Sequence, residues 1–467
     1  MTRRRRRTAV MAAFLSASLV AGACTRADDE TEVGAAPDGT AAEGGGTDGA
    51  GSGGSRLDAG GFGDIETVCS EGEGGGATET GLTADEIRLG TITDKGAAER
   101  PGLTKEMYDT AVAFAAWCNE YGGIQGRDVV IDDLDAKLFD YGQRIAEACE
   151  QDFALVGGGG VFDSQGVTDR VDCGLPNIPG YTVSPEARVA DLQVQPIPNP
   201  VYEFQAASYR WLRQADDSAG NFGILWVNLG GPATVHAQIV EGVTDLGYDV
   251  VFDEQYKPLG ETGWRNFVQQ MRDADVQTFE IIGEPENMVA LQSAMQTEGW
   301  YPDYTVLQPN YIEQKFMEEG ASTFSDSTYA RSAFPTFEMA DEVPAMQDFL
   351  DLMERYNPEG KVAFLGAQAL SALLLFATAA NECGSDLSRR CVLDQAAAVE
   401  DWTAGGLHSR QTPGNTEATE CSLMVHITAD GFQYDEDLTH ANDGIYGCDP
   451  DNVLQLTDDY GVPEPSA

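Results

Sequence analysis

Apolar and polar positions alternate with two different periods between residues 87 and 135, and this stretch predicts the first structural unit of the chain. Residues 87–92 alternate with a period of two and are rich in β-branched side chains, which is typical of a strand. In residues 105–119 apolar side chains recur every three or four positions, which predicts a helix with one buried face. Gly122 and Gly123 end that helix, and residues 129–133 predict a second strand. A strand, a helix and a strand in this order indicate a right-handed crossover and a parallel sheet.

The same alternation continues to residue 434. Short apolar runs predict further strands at 153–156, 221–227, 250–253, 278–282 and 304–307, and segments with helical periodicity lie between them. After these, helices are predicted at 344–356, 363–381 and 393–401. Two more strands are predicted at 422–427 and 431–434. We therefore predict an α/β fold of two doubly wound parallel-sheet lobes joined by a three-strand hinge. Lobe one would comprise residues 81–197 and 337–405, lobe two residues 198–336 and 406–450, and residues 451–467 a C-terminal tail.

The N terminus has the pattern of an export signal. Five arginines precede an apolar segment at 9–20, and the small residues Ala21, Gly22 and Ala23 lead to Cys24. This ending resembles a bacterial lipobox, in which Cys24 would be lipidated, although Ala21 stands where leucine is usual. The alternative is an ordinary secretory signal with cleavage elsewhere. With lipidation, residues 1–24 are a lipoprotein signal peptide and the protein is anchored to the extracytoplasmic face of the cell membrane.

Residues 25–80 differ sharply in composition from the rest of the chain. They are rich in Gly, Ala, Ser, Thr, Asp and Glu and have few large apolar side chains, so they bury too little surface to offset the entropy of ordering. We predict a flexible low-complexity tether. Val68 and Cys69 indicate that its last part docks on the body of the protein.

The chain is strongly acidic, with a formal net charge of −49, and loss of the five signal arginines makes the charge still more negative. Phosphate backbones would be repelled, so nucleic-acid binding is excluded.

Nine cysteines occur in the sequence, and eight remain if Cys24 is lipidated. An even number in an exported protein predicts disulfides. Cys383 with Cys391 and Cys421 with Cys448 are the expected near pairs. Three pairings are open for the other four, of which Cys69–Cys118 with Cys149–Cys173 is preferred. There is no CxxC pair, so zinc and thiol redox chemistry have little support.

The motifs of the opening unit resemble a known family. The order IRLG-x-x-T-D, an Ala-rich helix, NE-x-GGI-x-GR and then DD is similar to the opening of the leucine/isoleucine/valine-binding proteins, the type I periplasmic solute-binding proteins of ABC importers. The similarity extends over roughly residues 82 to 440. It implies two lobes that close on a small-molecule ligand, and ABC permease subunits as partners. It implies no cofactor.

The candidate ligand site follows from strand ends and from this resemblance. Ligands of open α/β sheets bind at the carboxyl ends of the strands. In amino-acid-binding members, backbone amides and hydroxyls after two lobe-one strands hold the ligand carboxylate, and an aromatic lid and an acidic residue lie on lobe two. The matching positions here are Val161, Phe162, Asp163, Ser164, Tyr181, Thr182, Glu284, Asn310 and Tyr311. Two further candidates are Asp94, which follows the first strand of lobe one, and Asn228, which follows the first strand of lobe two.

One run of three residues and one single position differ from the family pattern in a way that widens the choice of ligand. Val161, Phe162 and Asp163 replace a hydroxyl-rich run, and Asn310 offers an amide where the family has an acid. An amino acid, an amide, an aromatic acid or another small polar organic molecule are all candidates, with Phe162, Tyr181 and Tyr311 available to stack on it.

Catalysis has little support in the sequence. The nucleophile elbow G-x-S-x-G is absent, and the four histidines lie in unrelated contexts. The acidic turn of Asp132, Asp133 and Asp135 is better explained by solvation than by a metal. We predict no catalytic residue and no metal site. The alternatives to an importer component are a ligand-sensing accessory module without a permease and, less favoured, a secreted hydrolase.

Overall fold

The computed structural model describes residues 55–462, except 77, 78, 99, 259 and 416. Cys24, the signal segment and most of the predicted tether lie outside the described residues. In chain order the strands are β1 (Glu86–Thr93), β2 (Asp128–Asp135), β3 (Ala154–Val156), β4 (Asn177–Ile178), β5 (Glu203–Gln205), β6 (Asn221–Val227), β7 (Asp249–Tyr256), β8 (Thr278–Ile282), β9 (Tyr304–Leu307), β10 (Thr328–Ser332), β11 (Cys421–Thr428), β12 (Gly431–Tyr434), β13 (Gly447–Cys448) and β14 (Val453–Gln455).

Helices cover the faces of both sheets. In chain order they are α1 (Lys105–Glu120), α2 (Tyr141–Gln151), α3 (Val167–Asp172), α4 (Pro185–Arg188), α5 (Ala207–Ala215), α6 (Gly230–Asp245), α7 (Trp264–Asp273), α8 (Pro285–Glu298), α9 (Gln314–Gly320), α10 (Pro344–Tyr356), α11 (Phe364–Cys383), α12 (Arg389–Ala397) and α13 (Glu436–Thr439).

The first sheet is parallel and has the order β2-β1-β3-β4. β1 lies beside β2 with Ile87 opposite Val129 and Ile92 opposite Leu134. Because apolar side chains of β1 face helices on the sheet, Ile87 and Leu89 are fully buried. The predicted crossover of the opening unit is confirmed, with α1 between β1 and β2.

The second sheet has the order β12-β11-β10-β9-β8-β6-β7, with β13 added beside β11. Strands β6 to β10 run parallel to one another. β11 runs antiparallel to β10 and to β12, so the sheet ends in an antiparallel edge that the prediction of parallel lobes did not include.

The chain passes between the two sheets three times. It leaves the first sheet after β4, returns after β10 so that α10 and α11 pack on α1, and passes to the second sheet again after α12 to form β11. We call the first sheet with α1–α4 and α10–α12 the first lobe, and the second sheet with α5–α9 and α13 the second lobe.

The predicted tether ends earlier than residue 80. Leu57, Phe62 and Val68 are buried in the core of the first lobe, and Cys69 is disulfide-bonded to Cys118 of α1. Residues 55–76 are therefore part of the folded body. The polar composition predicted that the entropy cost of ordering would keep them unfolded, but three buried apolar side chains and a disulfide offset that cost.

The C-terminal tail is also folded in part. β14 pairs antiparallel with β5, and Leu456 and Tyr460 are buried against the second lobe. The predicted tail at 451–467 thus begins with residues that pair and pack on the body of the protein.

The four predicted disulfides are present: Cys69–Cys118, Cys149–Cys173, Cys383–Cys391 and Cys421–Cys448. The first ties the N-terminal segment to α1, and the last ties β11 to β13.

Within the part of the chain that the structure describes, one segment, Phe364–Asp386, has the length and apolar composition of a membrane span. It contains α11, whose side chains are mostly buried between α1 and α12. The arrangement is that of a core helix.

Candidate ligand-binding cleft

The two lobes enclose a cavity of about 610 Å³ between the carboxyl ends of their strands. Its walls come from the loops after β1, β3 and β4 in the first lobe, the loops after β6, β8 and β9 in the second, the crossing segment 197–205, and the start of α11. Both the volume and the position are those of ligand sites in open α/β proteins.

Six residues that the sequence singled out line this cavity: Val161, Phe162, Tyr181, Thr182, Glu284 and Asn310. Phe162 stacks on Phe139, with ring centroids 5.5 Å apart and an interplanar angle of 24°. Phe139 is 64% exposed, which is unusual for so large an apolar side chain. The two rings form an aromatic wall that solvent reaches.

Two predicted acids, Asp94 and Asp163, lie behind the wall of the cavity. Asp94 accepts hydrogen bonds from the backbone N–H groups of Leu138 (2.7 Å) and Val161 (2.8 Å). Asp163 accepts hydrogen bonds from the amides of Val183 (2.7 Å) and Ser184 (3.0 Å). Burial raises the pKa of both carboxyls, and these amides oppose the rise. Both acids hold loops of the cavity in place and are not among its lining residues.

Three further predicted residues lie away from the cavity. Ser164 and Asn228 are exposed side chains outside it. Tyr311 is fully buried, and its hydroxyl donates to the Ile281 carbonyl oxygen at 3.2 Å. Its ring packs the second lobe, so the prediction that Tyr311 stacks on a ligand is wrong.

Arg100 joins the two lobes at the edge of the cavity. The residue lies in the loop between β1 and α1, and its guanidinium forms ion pairs with Glu284 (2.6 Å) and Glu286 (3.1 Å), which flank the start of α8. Burial disfavours charge on Glu286, but Arg100 and Lys315 outweigh it and lower the pKa of that carboxyl to about 2.

A second ion cluster lies beside the first. Lys361 pairs with Glu106 of α1 at 3.2 Å and with Glu313 at 2.5 Å. Burial raises the pKa of Glu106, and Lys361 opposes that rise. The two acidic side chains line the cavity, and each has a cation beside it.

Arg188, which the sequence did not single out, lines the cavity from the first lobe. Ser184 caps α4 by accepting from the Ala187 amide at 3.2 Å, Pro185 occupies the first turn, and this short helix ends at Arg188. The guanidinium donates from Nε to the Val183 carbonyl oxygen (3.0 Å) and from Nη1 to Gln238 Oε1 in α6 (2.9 Å). Burial lowers the pKa of Arg188 to about 10.

Arg331 lines the cavity from the second lobe, where β10 ends. Its Nη2 donates to Gln308 Oε1 at 2.7 Å, Gln308 in turn donates to Glu280, and Glu280 also accepts from the Tyr209 hydroxyl. Burial raises the pKa of Glu280, while the charge of Arg331 opposes the rise. Arg331 therefore has a buried acid nearby.

The described lining residues include no histidine, cysteine or serine. His408 is buried in the core, between Ser371 and the Ser409 carbonyl. The one group of possible metal ligands found among the described residues contains Cys421 and Cys448, which are joined by a disulfide. The described lining therefore contains no histidine base and no serine or cysteine nucleophile.

Comparison with known proteins identifies the family. The sequence profile of a family described as periplasmic binding protein matches residues 86–432. No curated protein sequence matches the chain.

Solved structures share the fold at low sequence identity. The fatty acid ABC transporter substrate-binding protein from Thermomonospora curvata is 12% identical, with a TM-score of 0.64, over 80% of this chain and 98% of its own. LivJ from Streptococcus pneumoniae, a branched-chain amino acid transporter substrate-binding protein in complex with isoleucine, is 16% identical, with a TM-score of 0.60, over 75% of this chain and 99% of its own.

A leucine-, isoleucine-, valine-, threonine- and alanine-binding protein from Brucella ovis, in its closed conformation, is 14% identical, with a TM-score of 0.62, over 75% of this chain and 93% of its own. At these identities the structures support the fold, and the profile match over most of the chain identifies the family. The chain belongs to the periplasmic binding protein family, as its opening motifs predicted.

Proposed function

We propose that the protein is a lipid-anchored, extracytoplasmic solute-binding protein that delivers a small organic molecule to an ABC importer by closing its two lobes. The single observation that carries this proposal is the cavity between the lobes, which is lined by strand-end loops of both sheets. A solute held there touches both lobes at once, so its binding favours the closed arrangement over an open one.

Contacts between the lobes support closure as the mechanism. Arg100 of the first lobe meets Glu284 and Glu286 of the second, and Arg188 meets Gln238. Both contacts are polar, and polar contacts at a cleft rim can exchange protein partners for water when the lobes separate.

The kind of solute is supported by the family and by the lining. Proteins of this fold are named for fatty acids and for branched-chain amino acids, and the cavity here is walled by aliphatic and aromatic side chains with a few polar groups. An amino acid, an amide, or an aromatic or other organic acid are all compatible with that lining.

Anchoring and partners are supported by the N terminus and by the family. Cys24 follows an apolar segment and small residues, which is the pattern of a lipidated exported protein. A lipid at Cys24 would keep the solute-loaded protein at the membrane, where permease subunits could dock on the faces of the two lobes.

The experiment is native mass spectrometry of the full-length protein purified from its host membranes. We expect a folded protein that carries a small molecule, and release of that molecule under denaturing conditions gives its mass. A protein that never carries a solute, and whose thermal unfolding temperature no metabolite extract shifts, would contradict the proposal.

A further inference from the structure

Arg188 is a cation in the wall of the cavity without an anionic partner among the described residues. The residue is 5% exposed. Its guanidinium has five N–H donors, and the hydrogen bonds formed within the protein go to two neutral oxygens, the Val183 carbonyl and Gln238 Oε1. The acid whose charge acts on it, Asp163, is already hydrogen-bonded to the amides of Val183 and Ser184.

Gln238 fixes the position of this guanidinium. Its own amide nitrogen donates to the Val201 carbonyl oxygen at 2.5 Å, so its side-chain oxygen is turned to Arg188. The Nη2 group of Arg188 has no protein partner in the described part of the chain. It is also not completely buried. Because Arg188 lines the cavity, a ligand bound there can reach this group. Burying an uncompensated cation is costly, and a ligand anion would remove that cost.

The other charged lining residues are already paired or hydrogen-bonded. Arg100 is held by Glu284 and Glu286, and Glu106 and Glu313 are held by Lys361. Arg331 donates to Gln308 and Gln205 and has the charge of the buried Glu280 nearby, although its Nε is buried without a hydrogen-bond partner.

No cation of the described chain pairs with Glu203, but each of its carboxylate oxygens already accepts a hydrogen bond. One accepts from the Ala418 amide at 2.6 Å and the other from the Gln455 side chain at 2.9 Å. Glu313 Oε1 accepts no hydrogen bond, but Lys361, 2.5 Å from the other oxygen, and Arg100, 3.9 Å away, balance its charge. Each described lining acid thus has a cation or hydrogen-bond donors beside it, whereas the Arg188 guanidinium keeps a donor group without a protein partner.

Most of the remaining wall is apolar, with several amide and hydroxyl side chains among its members. Leu138, Phe162, Leu229, Val235, Ile282 and Phe364 are among its aliphatic and aromatic members. The cavity volume of about 610 Å³ lies within the range of sites for drug-sized ligands and leaves room for a chain longer than that of a free aliphatic amino acid.

We propose that the solute is an amphipathic carboxylate, whose head binds the Arg188 guanidinium and whose aliphatic or aryl-alkyl chain lies along the apolar wall. This inference rests on the proposed binding function and specifies the ligand class. A planar guanidinium suits a carboxylate because two parallel N–H···O bonds can form. Gln238 acts as a positioning residue for Arg188.

The test is isothermal titration of the full exported chain, after removal of any co-purified solute, with matched pairs of probes. The pairs are decanoate with decanamide, and 4-phenylbutyrate with 4-phenylbutyramide. L-leucine is a separate probe that carries an ammonium group as well as a carboxylate. Each pair keeps the chain and removes the charge. We expect both carboxylates to bind about 10- to 100-fold more tightly than their amides, the range expected for hydrogen bonds to a charged group.

The variant Arg188→Gln should remove this preference, while Arg188→Lys should keep part of it. Arg272→Gln, which removes an exposed arginine of α7, is the matched control and should leave the preference unchanged. Circular dichroism checks that each variant is folded. If Arg188→Gln does not fold, the affinities of the unmodified protein for the carboxylates and their amides still test the inference.

Equal affinity for carboxylates and amides, tighter binding of L-leucine than of the carboxylates, or no binding of any probe would each overturn the inference. None of these results contradicts the proposed function if the protein purified from its host carries a solute. Absence of any co-purified or extract-derived solute would instead count against the binding function itself.

Discussion

Arg100 of the first lobe and Glu284 of the second form an ion pair 2.6 Å long at the edge of the cavity. The two residues are 184 positions apart in sequence, and each follows a strand of a different sheet. The pair therefore exists only when the two lobes face one another. Glu286 adds a second contact to the same guanidinium at 3.1 Å.

Replacing Arg100 by Met should favour separation of the lobes. The change leaves Glu284 and Glu286 without their cation and removes a partly exposed pair that contributes about 1 kcal/mol to closure. We expect solute affinity to fall about fivefold and the radius of gyration from small-angle scattering to rise. Arg265→Met, which removes an arginine paired with Glu298 inside the second lobe, is the control. Equal scattering curves for both variants would show that the Arg100 contact does not hold the lobes together.

The aromatic wall should contribute directly to solute affinity. Phe162→Ala and Tyr181→Ala each remove a ring that lines the cavity, and we expect each to lower affinity about tenfold while cooperative unfolding is retained. Titration calorimetry measures the affinity, and a urea melt measures the stability.

Tyr311→Phe provides the contrast for these two variants. It removes a buried hydroxyl that donates to the Ile281 carbonyl oxygen and leaves the cavity untouched. The free energy of unfolding should fall by about 1 kcal/mol with no change in affinity. Unchanged affinity in both ring deletions would mean that the solute binds elsewhere.

His408 should make the protein less stable in mild acid. Its Nδ1–H donates to the Ser409 carbonyl oxygen and its Nε2 accepts from the Ser371 hydroxyl, and burial lowers the pKa to about 4 from the ordinary 6.5. As the pH falls below 6.5, the unfolded chain takes up a proton before the folded one, so stability is lost between about pH 6.5 and 4.

The variant His408→Gln isolates this effect. Between pH 7 and pH 5 the unmodified protein should lose about 2 kcal/mol more of its free energy of unfolding than the variant does. Urea unfolding at the two pH values measures the difference. Parallel losses in the two proteins would show that His408 titrates normally.

Cys24→Ser tests the membrane anchor. Without the thiol no lipid can be attached, and the protein should move from the membrane fraction to the soluble fraction or the medium. Fractionation with immunoblotting follows it, and Cys421→Ser, which removes a disulfide thiol, serves as the control. Retention of the Cys24→Ser protein in washed membranes would rule out lipidation at this residue.

Local patterns were sufficient to predict the opening unit and most of the sheet. The alternation at 87–92 corresponds to β1, and the helix predicted for 105–119 corresponds to α1 within a residue or two, since each depends on the side chains of that segment alone. For residues 55–76 the polar composition led to the wrong prediction of a flexible tether. Their few apolar side chains fit pockets of the first lobe that no local pattern reveals.

The site was predictable only where strand ends determine position. Phe162 and Tyr181 follow β3 and β4 and line the cavity, whereas Tyr311 at a similar strand end turns its ring into the core. Arg100 and Arg188 were missed because their importance depends on partners far away in sequence. The Ser184-Pro185 start of a short helix was the one available signal for Arg188.

Hydrogen exchange measured by mass spectrometry tests most directly whether one solute is held by both lobes. The protein as purified from its host is compared with the same protein stripped of solute in guanidinium and refolded with its disulfides intact. The solute should slow exchange in both lobes together, in residues 180–188 of the first and in residues 229–238 and 283–287 of the second. Slower exchange confined to one lobe, or no difference between the two samples, would contradict the account.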